Sequence, residues 1–254
     1  MFSAIFAAKK RKSHTANDIA KIVMKDLTTC AVLFAPLILL GSSFFQVAQP
    51  VAKNTPVEFT QTQTDLPWYD VQRFQYHIQT RLPTYREKFE QVAQQYGLPW
   101  TLLAAQAYQE SRWDRHAKSP TGVRGLMMLT RDTASSLGIE NRLDPHKSIE
   151  GGARYFAHLK NQVHENIIQR DRTWMALAAY NVGLGHIKDA QRLAERMDKN
   201  PYSWKDLKTV LPLLAKKQYY KTLQYGYARG WEPVQYVKRI RAYRALLEHY
   251  FREV

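Results

Sequence analysis

The sequence predicts an all-α domain that follows one apolar N-terminal segment. Three observations carry that prediction. From about Val71 to the C-terminus apolar residues recur at intervals of three and four, no stretch alternates convincingly with a period of two, and residues 27–52 hold no charged side chain. With 254 residues and 45% hydrophobic content, the chain has material for one sizeable core plus an appendage.

The appendage comes first. Its uncharged run exceeds the ~20 apolar residues that cross a bilayer, and the cluster KKRK at 9–12, with Lys21 and Lys25, lies before it. The positive-inside rule then makes residues 1–27 a basic cytoplasmic segment and residues 28–48 a single transmembrane anchor, with everything after about residue 50 outside. A cleaved signal peptide is the competing reading, because small residues at 41–43 offer a cleavage site. The apolar run follows Cys30 instead of preceding it, which makes this cysteine a poor lipidation site. Residues 49–70 are rich in Pro, Thr and Gln and read as a linker, which leaves 71–254 for the folded domain.

Within that domain Tyr85, Phe89, Val92, Ala93 and Tyr96 mark a helix that Gly97 stops. Pro99 opens the next, where its missing N–H costs nothing, and that helix carries Leu102, Leu103, Ala105 and Ala107. Further helices are expected at about 130–137, 147–164, 172–181, 184–197, 203–211 and 233–251. Ser203 followed by Asp206 resembles a capping box, and Gly138 and Gly183 fall where helix ends or turns are expected.

Lys and Arg number 37 against 22 Asp and Glu, a net charge of +15 that points to a polyanionic partner: nucleic acid, anionic lipid or an acidic wall polymer. The basic residues are spread along the chain, and the predicted topology puts the domain outside the cytoplasm, so nucleic acid is not the expected partner. The single cysteine rules out a disulfide framework. The eight histidines form no HExxH, and no GxxxxGK[ST] loop occurs, so neither a metal nor a cofactor is expected.

One residue stands out chemically. Glu110 closes the apolar helix, and a turn-rich segment with Gly122 and Gly125 then folds back, a layout that can hold a buried acid beside a groove. Asp114, four residues on, invites comparison with the paired carboxylates of a retaining glycosidase, ~5 Å apart. The helix is expected to end inside that interval, which favours a surface or capping role near Arg112 and Arg115. Of the large aromatics, among them Tyr155, Phe156, Trp174, Trp204, Tyr225 and Tyr227, most are expected in the core and one or two on a groove wall.

QES at 109–111, SPTGVRGLMMLT at 119–130, AAYNVG at 178–183 and YGYARGWEPVQYVKRI at 225–240 resemble, in order, the motifs of the lytic transglycosylases that share the goose-type lysozyme fold. The F-type membrane-bound subgroup is nearest, and the resemblance covers about residue 80 to the C-terminus. It implies a lysozyme-like SLT domain with a substrate cleft, acting on peptidoglycan glycan strands and forming 1,6-anhydro ends. By resemblance Glu110 is the catalytic acid and then base, and Ser119, Gly125, Met127, Tyr180, Asn181, Glu232 and Tyr236 bind substrate, with Gly125 letting backbone approach the sugar. Met128 stands where members commonly carry Gln, which removes one hydrogen-bonding side chain. Glu232 is equally suited to an ion pair with Arg229 or Arg239. The resemblance also implies an inner-membrane protein with its catalytic domain in the periplasm. The F-type subgroup carries a solute-binding-like domain before the catalytic one, and the ~80 residues here hold only an anchor and linker. Two alternatives remain: a lysozyme-like hydrolase using Asp114 or Glu232 to activate water, and a non-catalytic wall-binding or secretion-associated scaffold.

Overall fold

A computed structural model describes residues 64–120 and 122–253 of the chain. The predicted cytoplasmic segment, the anchor at 28–48 and most of the linker lie outside these residues. Among the described residues no helix is long and apolar enough to cross a membrane.

Ten α-helices and two short 3₁₀ turns make up the described chain, with no strand beyond one isolated bridge between Lys118 and Arg124. α1 (Trp68–Thr80) buries Val71, Phe74 and Ile78, spaced three and four apart, together with His77. It begins inside the stretch read as linker, and Leu66 before it is also buried, at 5% exposure. The polar lead-in conceals only its first turn, since the helical periodicity is legible from about Val71. α2 (Arg86–Gln95) buries Phe89, Val92 and Ala93, and Gly97 after it has a positive φ of 61°.

α3 (Trp100–Ser111) is the centre of the molecule. Residues 101–108 are all buried, so this helix has no solvent face over two turns. α2 packs on one side of it, and α10 (Trp231–Glu253) lies along another. The helix ends abruptly: Arg112 and Trp113 both take left-handed backbone at φ 56°, and the Trp113 indole N–H reaches back to donate to the Ala104 carbonyl at 2.9 Å. Trp113 thereby joins Phe74, Tyr108 and Tyr243 in an aromatic cluster with ring centroids 4.5 to 5.5 Å apart.

The chain then turns through residues 118–124 into α4 (Arg131–Ser136), capped by Thr130 Oγ1 accepting from the Thr133 N–H at 3.0 Å. α5 (Pro145–Gln162) is capped in the same way by Asp144 and has Pro145 at its first position. α6 (Gln169–Val182) and α7 (Leu184–Arg196) meet at Gly183 alone, whose φ of 96° allows the change of direction. α8 (Trp204–Val210) is not closed by the Ser203–Asp206 capping box. The Trp204 N–H donates instead to Asp171 Oδ2 of α6 at 2.9 Å, and Asp206 accepts from Asn200. After a 3₁₀ turn, Leu211–Ala215, and the short α9 (Lys217–Tyr220), α10 runs back across α3 and α6. Phe156, Trp174 and Trp204 belong to the core, whereas Tyr225 and Tyr227 are close to half exposed.

Candidate active site

Glu110 sits in the last turn of α3, where the helix leaves the core. The residue as a whole is partly exposed, while protein packs closely around its carboxyl. Burial pushes its pKa up to about 7, and a hydrogen bond from Tyr236 pulls the other way without cancelling it. A carboxyl that holds its proton near neutrality can both give and take one.

Tyr236 comes from α10 and is 5% exposed. Its O–H donates to Glu110 Oε1. Burial first, and then the charge of Glu110, hold the phenol well above its ordinary range, so it stays a donor. Gln106, one turn before Glu110, is fully buried beside that phenol, and its side-chain amide has no well-formed partner. Tyr180 approaches from α6. Its hydroxyl donates to the Met127 carbonyl at 2.8 Å, and its ring lies 5.1 Å from that of Tyr155. Burial and then the Glu110 charge raise its pKa as well, so the α3, α6 and α10 contributions converge on one carboxyl. Asn181, next in the chain, is exposed.

The remaining sequence-derived positions play different parts. The Ser119 hydroxyl accepts from the Val123 N–H at 2.9 Å, and its backbone closes the same turn. Gly125 is buried at φ 95°, and the close approach it permits is to Arg142, not to an open groove: a Cβ there would stand 2.3 Å from the Arg142 carbonyl oxygen. Met127 is fully buried, and its backbone N–H donates to Ser148 Oγ at 3.0 Å. Met128 adopts a φ of 48°, uncommon for a residue with a side chain.

Neither possible second carboxylate stands ready as a base. Asp114 lies past the end of α3 and accepts from the His116 N–H at 2.9 Å, because the left-handed pair at 112 and 113 breaks the helical spacing from Glu110. Glu232 is ion-paired with Arg229 at 2.8 Å. Among the described residues no three His, Cys, Asp or Glu side chains are grouped to hold a metal.

Behind Glu110 lies a brace that the sequence did not reveal. Arg239 of α10 donates to Gln109 Oε1 and to Asp70 Oδ2, each at 3.0 Å, and to the Tyr243 hydroxyl at 2.6 Å. It clamps α1, α3 and α10 together at the residue preceding the acid. Asp70 and Arg239 are 169 positions apart, and no motif spacing links them.

Residues 87–203 match the transglycosylase SLT domain. The chain is 57% identical over 175 residues to membrane-bound lytic murein transglycosylase F 1 of Alkalilimnicola ehrlichii, covering 69% of this chain and 35% of that protein. It is 56% identical over 183 residues to membrane-bound lytic murein transglycosylase F of Maricaulis maris, covering 72% and 40%. The chain therefore spans well under half the length of these curated relatives. Among solved structures it is similar to an inactive mutant of the lytic transglycosylase Slt from Pseudomonas aeruginosa, with 22% identity and a TM-score of 0.48, over 65% of this chain and 24% of that one. Tyr236 and Arg239 lie on α10, beyond residues 87–203. Residues 87–203 of this chain belong to the transglycosylase SLT domain family.

Proposed function

We propose that the chain is a peptidoglycan lytic transglycosylase that cleaves the β-1,4 bond between N-acetylmuramic acid and N-acetylglucosamine. The observation that carries the proposal is the solitary Glu110 carboxyl, raised to about 7 by burial and held by Tyr236, inside an SLT domain. Protonated Glu110 gives its proton to the bridging oxygen as the C1–O bond breaks. The substrate's own 2-acetamido oxygen supports C1, the substrate-assisted exception to the two-carboxylate scheme. Glu110, now ionised, takes the proton of the muramic C6 hydroxyl, and O6 bonds to C1 to close the 1,6-anhydro ring. No water is consumed, and the acid is restored. The engagement of Asp114 and Glu232 elsewhere favours this route over hydrolysis.

In this reading Tyr180, Asn181, Tyr236 and the 119–128 turn border the glycan, with Ser119, Gly125 and Met127 shaping that turn and Glu232 near its edge. Residues 28–48 anchor the chain in the inner membrane, 49–70 lead away from it, and 71–254 act in the periplasm. The names of the membrane-bound relatives support the membrane association in this reading. Purified sacculi incubated with the full chain should release muropeptides with anhydro ends, one water lighter than reducing ends by mass spectrometry. Reducing ends would establish a hydrolase instead.

Tyr236→Phe tests the proton balance. Without the phenol's hydrogen bond, burial acts on Glu110 unopposed and its pKa rises above about 7. The alkaline limb of the kcat/KM profile on sacculi should move to higher pH, with about a tenfold lower maximum from lost positioning. An unmoved limb would detach Tyr236 from the acid.

A further inference from the structure

Thr101, Gln106 and Ser111 are buried polar side chains of α3. Thr101 donates to Glu248 at 3.1 Å and Ser111 to the Ala107 carbonyl at 3.2 Å. Gln106 is the exception: it is 0% exposed, and neither its amide nitrogen nor its amide oxygen has a well-formed partner. Buried polar groups are almost always hydrogen-bonded, because desolvation without a partner is costly, and an apolar side chain of the same shape would avoid that cost. Packing alone therefore gives no reason for an amide here.

Its position does. Gln106 lies four residues before Glu110, on the same face of the helix, and its amide stands beside the Tyr236 phenol. That phenol donates its one proton to Glu110 Oε1. What remains on the phenolic oxygen is lone pairs, so only the N–H end of the amide suits it. Gln106, Tyr236 and Glu110 thus form a row of donors aimed at the acid, and such a row strengthens when its last acceptor becomes charged. While Glu110 keeps its proton, little draws the amide in. Once ionised, the carboxylate polarises the phenol and makes its oxygen the better acceptor.

The other groups around the acid are engaged elsewhere. Tyr180 of α6 donates to the Met127 carbonyl, with the Tyr155 ring of α5 against its own; Arg239 of α10 is taken up by Gln109, Asp70 and Tyr243, and Glu232 by Arg229. Beyond burial, the Tyr236 hydrogen bond is what displaces the Glu110 titration.

We propose that Gln106 is a positioning residue for the ionised acid: after Glu110 has given up its proton, the Gln106 amide N–H donates to the Tyr236 oxygen and, through Tyr236, steadies the carboxylate that must take the second proton. The role rests on Glu110 being the acid of the reaction proposed above. Gln106 itself, fully buried, touches no substrate.

The test uses full-length chains carrying Gln106→Met, Tyr236→Phe or both, with Gln106→Leu as a second apolar replacement. Rate profiles on sacculi are paired with a carbon-13 NMR titration of the Glu110 carboxyl, identified by its absence from Glu110→Gln. Gln106→Met should lower kcat about threefold to tenfold at unchanged KM. It should also move the Glu110 titration and the alkaline limb together to higher pH, by about half a unit to one unit, and Gln106→Leu should do the same. Added to Tyr236→Phe, Gln106→Met should cause no further movement. At pH 4, where Glu110 keeps its proton, Gln106→Met should melt about 2–4 °C higher than the parent, because an amide without a partner has been removed. An unmoved titration, or a movement that persists beside Tyr236→Phe, overturns the proposal. So does a lower melting temperature for Gln106→Met, since the amide would then be bonded in the resting fold. If the parent cleaves no strands, the reading of the reaction fails, and the Glu110 titration still decides what Gln106 does.

Discussion

Glu110→Gln should leave a folded protein whose cleavage of glycan strands falls by about 10³-fold or more, the upper part of the range for loss of a positioned general acid. Gln matches the carboxyl in size and can still accept from Tyr236, but it has no proton to give. Stability supplies an independent reading. Glu110 titrates near 7 in the folded chain against an ordinary 4.5, so between those values the unfolded chain releases a proton that the folded chain keeps. The stability this group contributes is complete below pH 4.5 and is lost as pH rises through about 7, by about 1.4 kcal/mol for each unit of displacement at most. The Gln variant, free of that titration, should melt at a higher temperature than the parent at pH 8 and at nearly the same temperature at pH 4. Thermal unfolding at both pH values checks this. A variant that melts lower at pH 8 would mean that the carboxylate is stabilised in the fold, contrary to a desolvated acid.

Gly125→Ala should destabilise the domain by about 2–5 kcal/mol, combining the strain of positive φ with overpacking. The new methyl would stand 2.3 Å from the Arg142 carbonyl oxygen and 3.1 Å from Ser148 Oγ. Backbone on one side cannot yield, and on the other lies the hydroxyl that receives the Met127 N–H. Because the Met127 carbonyl in turn anchors Tyr180, the disturbance reaches the site as well as the fold. Gly122→Ala is the control: φ is 82°, but nothing lies within 4 Å of its added Cβ, so only the backbone cost of about 1–2 kcal/mol remains. Chemical denaturation measures both. Equal losses would show that conformation alone, and not contact with Arg142, makes glycine necessary at 125.

These two residues also mark what the sequence could disclose. Glu110 is recognisable because its helix is apolar up to its final turn, a local pattern, and the helices at 131–136, 145–162, 169–182 and 184–196 follow from the same periodicity. Gly125 is recognisable as a glycine, but its reason is not. The carbonyl that excludes a side chain belongs to Arg142, and nothing in the spacing announces that contact. The periodicity from about Val71 marks most of α1, and only its first turn, from Trp68, falls in the Pro-, Thr- and Gln-rich stretch that reads as linker. The sequence points to a Ser203 capping box for α8, whereas the Trp204 N–H donates to Asp171 of α6, 33 positions away. The pattern is consistent: features held within one element are legible, and features that depend on two elements meeting are not.

The abrupt end of α3 has an electrostatic consequence. A helix concentrates partial negative charge on its last carbonyl groups, equivalent to about half an elementary charge. Glu110 occupies that terminus, since Arg112 and Trp113 turn the chain aside immediately after it. The backbone itself therefore opposes a second negative charge there and adds to the burial that keeps the proton on. That contribution belongs to no side chain, so substitutions around the site leave it in place for as long as the Trp113 indole stays hooked to Ala104.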